Sequence, residues 1–285
     1  MESKPVRLSF AWAEVELFPS APYSVCDASQ ACILGLALER QRGVHAIASD
    51  KRQDFDAWPG DLALASPDVN IFSESMHGGE YLALRVARHA AGMASLAAPR
   101  VIFPGDRRAV ELGLRLRRLM LAPQPDTARI EEQLAMLLER GLALMAGPQA
   151  TSSAYRRDRN AHARVLEFIE DTLDGPLELG ELASLAGMPP LRFLRSFTHA
   201  TGSTPHAYIT ERRLQRARSL LRATQTPLAA VALDCGFAHQ SHLGAVFKSR
   251  LGLSPQQYRL ASSTGADLTS PLHTSLRQAG KSPAR

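Results

Sequence analysis

Two short stretches carry side chains suited to the edges of nucleic-acid bases and to the phosphates beside them. In the first, Leu191, Arg192, Leu194 and Arg195 are grouped around Phe193 and ahead of Phe197. In the second, His239, Gln240, Ser241 and His242 precede Leu243, Lys248 and Arg250 follow, and no acid occurs from Ala238 to Leu260. A guanidinium fork matches the N7 and O6 acceptors of guanine, a glutamine amide matches N6 and N7 of adenine, and apolar side chains pack on the thymine methyl. On that chemistry Arg195 is the first candidate for reading a base and Gln240 the second, with Leu191 or Leu194 available to a methyl group. Arg192 suits a phosphate contact or plain solvation. His239 and His242 can donate to phosphate or serve as surface and capping histidines. Lys248 and Arg250 suit phosphate anchoring, which positions without specifying.

These side chains need helices to present them. Leu243, Val246 and Phe247 recur at i, i+3 and i+4 and so share one helical face, which leaves the polar residues of His239 to Leu251 on the others. A short apolar segment precedes, Pro227 to Cys235, with proline in the first turn where its missing N–H costs nothing. Gly236 then supplies a turn open to positive φ. Helix, glycine turn and polar-basic helix make a helix-turn-helix, whose second helix is the one that enters a major groove. The pattern occurs twice. Gly187 corresponds to Gly236 at an offset of 49, while Phe197, Gly202, Pro205 and Tyr208 correspond to Phe247, Gly252, Pro255 and Tyr258 at an offset of 50. One inserted residue in the second turn explains the change, and matched glycines, phenylalanines, prolines and tyrosines mark an internal repeat. Between the units, Pro205 to Arg222 reads as a helix of roughly 27 Å at 1.5 Å per residue. That length can hold two recognition helices in successive major grooves, about 34 Å apart. On it, Arg218 is expected to pack within the domain and Arg212, Arg213 and Arg216 to face solvent or a polymerase.

The segments LASLAGM (182–188), FLRSF (193–197), TGSTPHAYI (201–209), RLQRARSLL (213–221), DCGFAHQSHLGAVFK (234–248) and GLSPQQYR (252–259) resemble the DNA-binding domain of AraC/XylS-type transcriptional regulators. With the leading helix, Ala161 to Leu173, the resemblance covers about 100 residues. The chain departs from the family pattern at Pro189-Pro190, Leu191, Leu194 and Ala245. The resemblance implies a sequence-specific DNA-binding regulator, ligand-responsive and an activator more often than a repressor. Its implied partners are double-stranded promoter DNA, RNA polymerase, a small-molecule effector and a second copy of the chain. No cofactor or catalytic residue is implied.

Upstream, residues 1–103 read as short strands: Val15–Phe18, Cys32–Leu38, Val44–Ala48, Leu62–Ala65, Val69–Phe72 and Tyr81–Val86. Short strands bounded by Gly, Pro and Asp point to a sandwich or barrel. The WPGDLALASP segment resembles the PGD-type turn of the cupin-like sensor barrels of the same family. A barrel can enclose a ligand, with Trp58 and Phe72 as candidate lining and core packing as the competing role for each. From Asp106, which can cap a helix, the period turns helical through Val110, Leu114, Leu119 and Leu121. Arg107, Arg108, Arg115, Arg117 and Arg118 then form a solvated face. After Pro123 and Pro125 a second helix, Ala128 to Met145, carries Ile130, Leu134, Leu137, Leu138, Leu142 and Met145 at i+3/i+4 spacing. That stripe packs either on the chain's own barrel or against a homodimer partner. The expected organisation is α+β: a strand-rich domain (1–103), a helical pair (104–146), a linker (147–159), an all-α double helix-turn-helix domain (160–262) and a disordered tail (263–285).

Charge follows this division. Residues 1–150 hold 16 Lys+Arg against 18 Asp+Glu, and residues 151–285 hold 17 against 10. Basic charge gathered in one half suggests a polyanion partner for it, or a solvated Arg-rich surface. The three cysteines, Cys26, Cys32 and Cys235, lack metal or disulfide spacing, and His45, His77 and His89 lack metal-ligand spacing. No GxSxG, Walker loop or GxGxxG is present, and Asp54 and Asp56 read as surface acids. With no apolar run long enough for a membrane span and no apolar leader at the start, a reducing cytoplasm is expected. The alternative is a small-molecule-binding or metal-binding cupin-like enzyme domain tethered to a DNA-binding module.

Overall fold

The computed structural model describes residues 5–28, 30–88, 98–147 and 153–263. His89, residues 148–152 of the expected linker and the expected tail from 264 onward lie outside them. Among the described residues the chain forms ten strands followed by nine helices, an α+β architecture.

The strands are β1 (Val6–Ser9), β2 (Ala13–Phe18), β3 (Tyr23–Asp27), β4 (Cys32–Ala37), β5 (Gln41–Ile47), β6 (Gln53–Ala57), β7 (Leu62–Ala65), β8 (Ile71–His77), β9 (Tyr81–Val86) and β10 (Arg100–Phe103). They pair in a nested order, β2 with β9, β3 with β8, β4 with β7 and β5 with β6, all antiparallel. Successive pairs fall alternately in two sheets, β1-β2-β9-β4-β7-β10 and β3-β8-β5-β6. This is one long antiparallel ribbon rolled on itself, the jelly-roll solution to unpaired sheet edges.

The six-stranded sheet works on both faces because side chains alternate along a strand. Leu34, Leu36, Leu62, Leu64, Leu82 and Leu84 point outward into the main apolar core. The residues between them, Gly35, Ala37, Ala63, Ala65 and Ala83, point inward and are small, so the space between the sheets is not filled. β1, β3, β6 and β10 were not foreseen, and β8 extends past the expected Phe72. In β8, β3 and β6 polar residues, such as Ser73, Asp27 and Gln53, break the apolar pattern that marks a strand.

Two helices cover the leucine face: α1 (Arg107–Met120), capped by Asp106 accepting from the Ala109 N–H, and α2 (Thr127–Ala146), capped by Asp126. A side chain at Gly113 would collide with Leu36 and Leu38, and one at Gly141 with Leu34, so both helices lie close on the sheet. Ile130, Leu134, Leu137 and Leu138 of α2 enter the barrel-side core, so the stripe foreseen as a barrel or dimer face is taken up within the chain.

The expectation of a solvated arginine face on α1 is corrected at Arg117, which is fully buried. Arg115 and Arg118 of the same turn stay exposed, while Arg117 points to the side that the strand domain and α6 close over. Arg117 is held there by Glu80, 3.0 Å away, and by Glu211. The helical half consists of α3 (Ser153–Asp171), α4 (Leu179–Leu185), α5 (Pro190–Thr201), α6 (Pro205–Ala223), α7 (Leu228–Asp234), α8 (Gln240–Leu251) and α9 (Pro255–Ser263). α3 begins at Ser153, inside the stretch expected to be linker to Arg159; its arginines favour helix as well as most residues do.

The two halves share their cores. Val231, Leu243, Phe247 and Leu251 belong to the same apolar cluster as α1, α2 and the leucine face. Trp58 from the strand domain is buried with Phe193, Phe197 and Tyr208. Around these lie ion pairs with acids from the strands and bases from the helices: Asp61 with Arg159 (2.7 Å), Glu39 with Arg212 (3.1 Å) and Glu80 with Arg218 (2.8 Å).

Candidate nucleic-acid interface

The repeat seen in the sequence is a repeat in space. α4 and α7 each have seven residues, and α5 and α8 each have twelve. Both turns close the same way: the Gly187 and Gly236 N–H groups donate to Ser184 and Leu233, and the Met188 and Phe237 N–H groups donate to Ala183 and Ala232. Both recognition helices end on a left-handed glycine, Gly202 (φ 68°) and Gly252 (φ 79°). Phe193 and Phe197 anchor α5 in its core, and Leu243 and Phe247 anchor α8.

That anchoring turns the foreseen residues outward. Leu191 is 73% exposed, against the usual behaviour of leucine, and Arg192 and Arg195 are exposed beside it, with Leu194 half-buried. On α8, Gln240, Ser241, His242 and Lys248 are exposed. The repeat sets Arg195 opposite Ala245, so the two units present different chemistry at equivalent positions.

Other foreseen residues have more specific surroundings. His239 caps α8: its Nδ1 accepts from the His242 N–H at 3.1 Å and lies 2.8 Å from Ser241 Oγ. The His242 ring meets Phe237 edge-on at 5.3 Å. Arg250, foreseen as a phosphate anchor, is half-buried, and its charge reaches the buried Glu211. On α6, Arg218 is buried as expected and Arg216 is exposed. The expectation for the other two is corrected. Arg212 is bound to Glu170 and Glu39. Arg213 donates to the Leu173 and Gly175 carbonyls at 2.8 and 2.7 Å. Part of the basic excess of the helical half therefore neutralises acids of the strand half instead of facing outward.

The tail ends of the recognition helices converge on α1. A Cβ at Gly202 would meet Val110 and Arg107 near the start of α1, and one at Gly252 would meet Arg118 near its end. Both glycine caps thus rest on one helix, while the opposite ends, with Leu191 and Gln240, face solvent.

Between the two sheets is a cavity of about 310 Å³. Neither foreseen lining residue belongs to it. Trp58 is buried in the first helix-turn-helix core under the Arg159 guanidinium, and Phe72 stacks with Arg52. The wall is instead made of Tyr23, His45, Tyr81, Arg85 and Arg100, with the inward alanines and, from α3, Arg159. The strand alternation of small and large residues was the sequence signal for this space. Among the described residues, no three His, Cys, Asp or Glu side chains converge on a metal-binding geometry, and no helix is long and apolar enough to cross a membrane.

Geometry and repeat define a tandem helix-turn-helix protein. Residues 182–261 match the family model described as a helix-turn-helix domain. The XylDLEGF operon transcriptional activator of Pseudomonas putida is 30% identical over 130 residues, 45% of this chain and 40% of that protein. Transcriptional activator NphR of a Rhodococcus species is 33% identical over 141 residues, 49% of this chain and 42% of that protein. Among solved structures, the DNA-binding domain of AdpA in complex with a target DNA is 31% identical, with a TM-score of 0.36, covering 36% of this chain and 94% of that one. The helical half of the chain is thus similar to a helix-turn-helix domain and to parts of transcriptional activators. Its alignments span less than half the length of these curated relatives.

Proposed function

We propose that this chain is a cytoplasmic transcriptional activator that reads promoter DNA through α5 and α8 and answers to a small effector held by the strand domain. The observation that carries this is the duplicated recognition unit, with both reading ends exposed and both far ends seated on α1. In this reading Arg195 addresses a guanine, Gln240 an adenine, and Leu191 or Leu194 a thymine methyl. Arg192, Ser241, His242 and Lys248 hold phosphates, His239 sets the first turn of α8, and Arg250 supports a phosphate contact from its half-buried place. RNA polymerase meets an exposed surface of the helical domain that includes Arg216. A homodimer forms through the outer face of α2, since its inner stripe is occupied. Effector binding shifts the balance between DNA-competent and incompetent arrangements.

Selection of sites from a random DNA pool by the purified chain tests this. The expected result is a motif with two sub-sites about one helical turn apart; binding without any enriched motif, lost as salt rises, would leave only an electrostatic binder. On the selected site, Arg195→Ala should weaken binding by about 1–3 kcal/mol and relax preference at one position, whereas Lys248→Ala should weaken all sequences alike. An unchanged preference in Arg195→Ala removes it from the reading residues.

A further inference from the structure

The cavity between the sheets has an uneven balance of charge. Its acids already have cationic partners: Asp27 pairs with Arg85 at 2.8 Å, Asp61 with Arg159 at 2.7 Å and Asp56 with Arg40 at 2.6 Å. Among the described residues Arg100, half-buried on β10, has no carboxylate in ion-pair range. It shares the cavity wall with Tyr81, whose phenol feels its charge. Tyr81 lies across β4 in space that exists only because residue 35 is glycine; a Cβ there would fall 1.7 Å from the phenol oxygen. Burial raises the Tyr81 pKa, so the phenol stays protonated and can donate. Burial, with Arg100 next, lowers that of His45 and favours the neutral ring. The rest of the wall near these groups is apolar, with Ile33, Ala63, Ala65, Ile71 and Ala83.

We propose that this cavity takes a small carboxylic acid with an apolar body, its carboxylate on Arg100 and the Tyr81 hydroxyl. The inference rests on the reading of the strand domain as the effector-sensing part, and it names the effector's chemical class. A volume near 310 Å³ is at the small end of ligand sites. At roughly 30 Å³ per water it equals about ten waters, which admits a single ring or a short chain. One guanidinium without a carboxylate partner balances one negative charge. A phosphate ester would bring nearly two charges into a mostly apolar space, where unpaired charge is costly.

Calorimetric titration of the full chain, without DNA, compares hexanoate and phenylacetate with hexanamide and phenylacetamide. The acids should bind about tenfold or more tighter than the amides, since losing one partner of a buried charge pair is costly. Arg100→Gln should erase that preference. Ala83→Leu, which fills the space without touching a charge, should prevent binding of acids and amides alike. Equal affinity for acids and amides, a preference that survives in Arg100→Gln, or no binding by either acid would overturn the proposal. The titration contains no DNA and site selection reads no acid-over-amide preference, so the regulator reading and this one fail separately.

Discussion

Glu80→Ala should cost about 3–5 kcal/mol of folding stability, the range seen when one partner of a buried ion pair is removed. Glu80 lies in the turn before β9, is 1% exposed, and accepts from Arg117 of α1 and from Gln215 and Arg218 of α6. Without it Arg117 keeps Glu211, but the buried Arg218 keeps only Gln215 and the Tyr258 hydroxyl. Burial alone would push the Glu80 carboxyl up; the Arg218 and Arg117 guanidiniums outweigh it and hold it at about 2, below its ordinary 4.5. Glu211 is shifted down too, Arg117 outweighing its burial. A depressed carboxylate contributes its full stability above the unfolded value and loses it as pH falls through the folded one. Wild-type stability should therefore drain between pH 4.5 and about 2, with a shallower slope in Glu80→Ala. Urea denaturation across that range measures both. A loss below about 1 kcal/mol with an unchanged acid limb would mean that water, not Glu80, satisfies the guanidiniums. The double replacement Glu80→Leu with Arg218→Met should recover much of the loss, because apolar substitutes for a buried pair are often neutral.

The second large effect separates two glycines that the repeat makes equivalent. Gly187 and Gly236 have φ of 65° and 75°, so alanine at either carries the left-handed penalty, about 1–2 kcal/mol. A Cβ at Gly187 meets nothing within 4 Å, whereas one at Gly236 falls 2.2 Å from the Leu173 carbonyl oxygen and 2.7 Å from Arg213 Nε. The intruded hydrogen bond is the one by which Arg213 holds the end of α3. Gly236→Ala should thus cost a further 1–3 kcal/mol or so as the neighbours give way. Its damage should be concentrated on the DNA sub-site read by α8. Thermal unfolding and footprinting on a selected site check the two halves of this expectation. Equal losses at the two glycines would show that the space at Gly236 can relax.

The tandem units were legible because their signals are local: a glycine where φ turns positive, phenylalanines one helical turn apart, proline opening the next helix. So were β7, whose apolar residues run without interruption, and β9, interrupted only at Arg85. Arg117 was not legible, since one arginine among five on a helix looks like its neighbours until Glu80 and Glu211, distant in sequence, close over it. Trp58 misled for a similar reason: an aromatic beside a turn reads as barrel lining, but its ring is claimed by the helical domain. The cavity was present in the sequence as leucine alternating with alanine or glycine in β4, β7 and β9. It passed for a uniformly apolar run because hydropathy ignores size.

The seating of both glycine caps on α1, a helix of 14 residues, bears on operator architecture. For a promoter read by both units, the protein offers one fixed gauge. An extra base pair between the sub-sites displaces the second by 3.4 Å and turns it by about 34–36° around the duplex. The mismatch then falls on the DNA, as twist and bend whose energy depends on the intervening sequence. Under the proposed function, spacer bases that touch no side chain thereby become part of what the chain recognises.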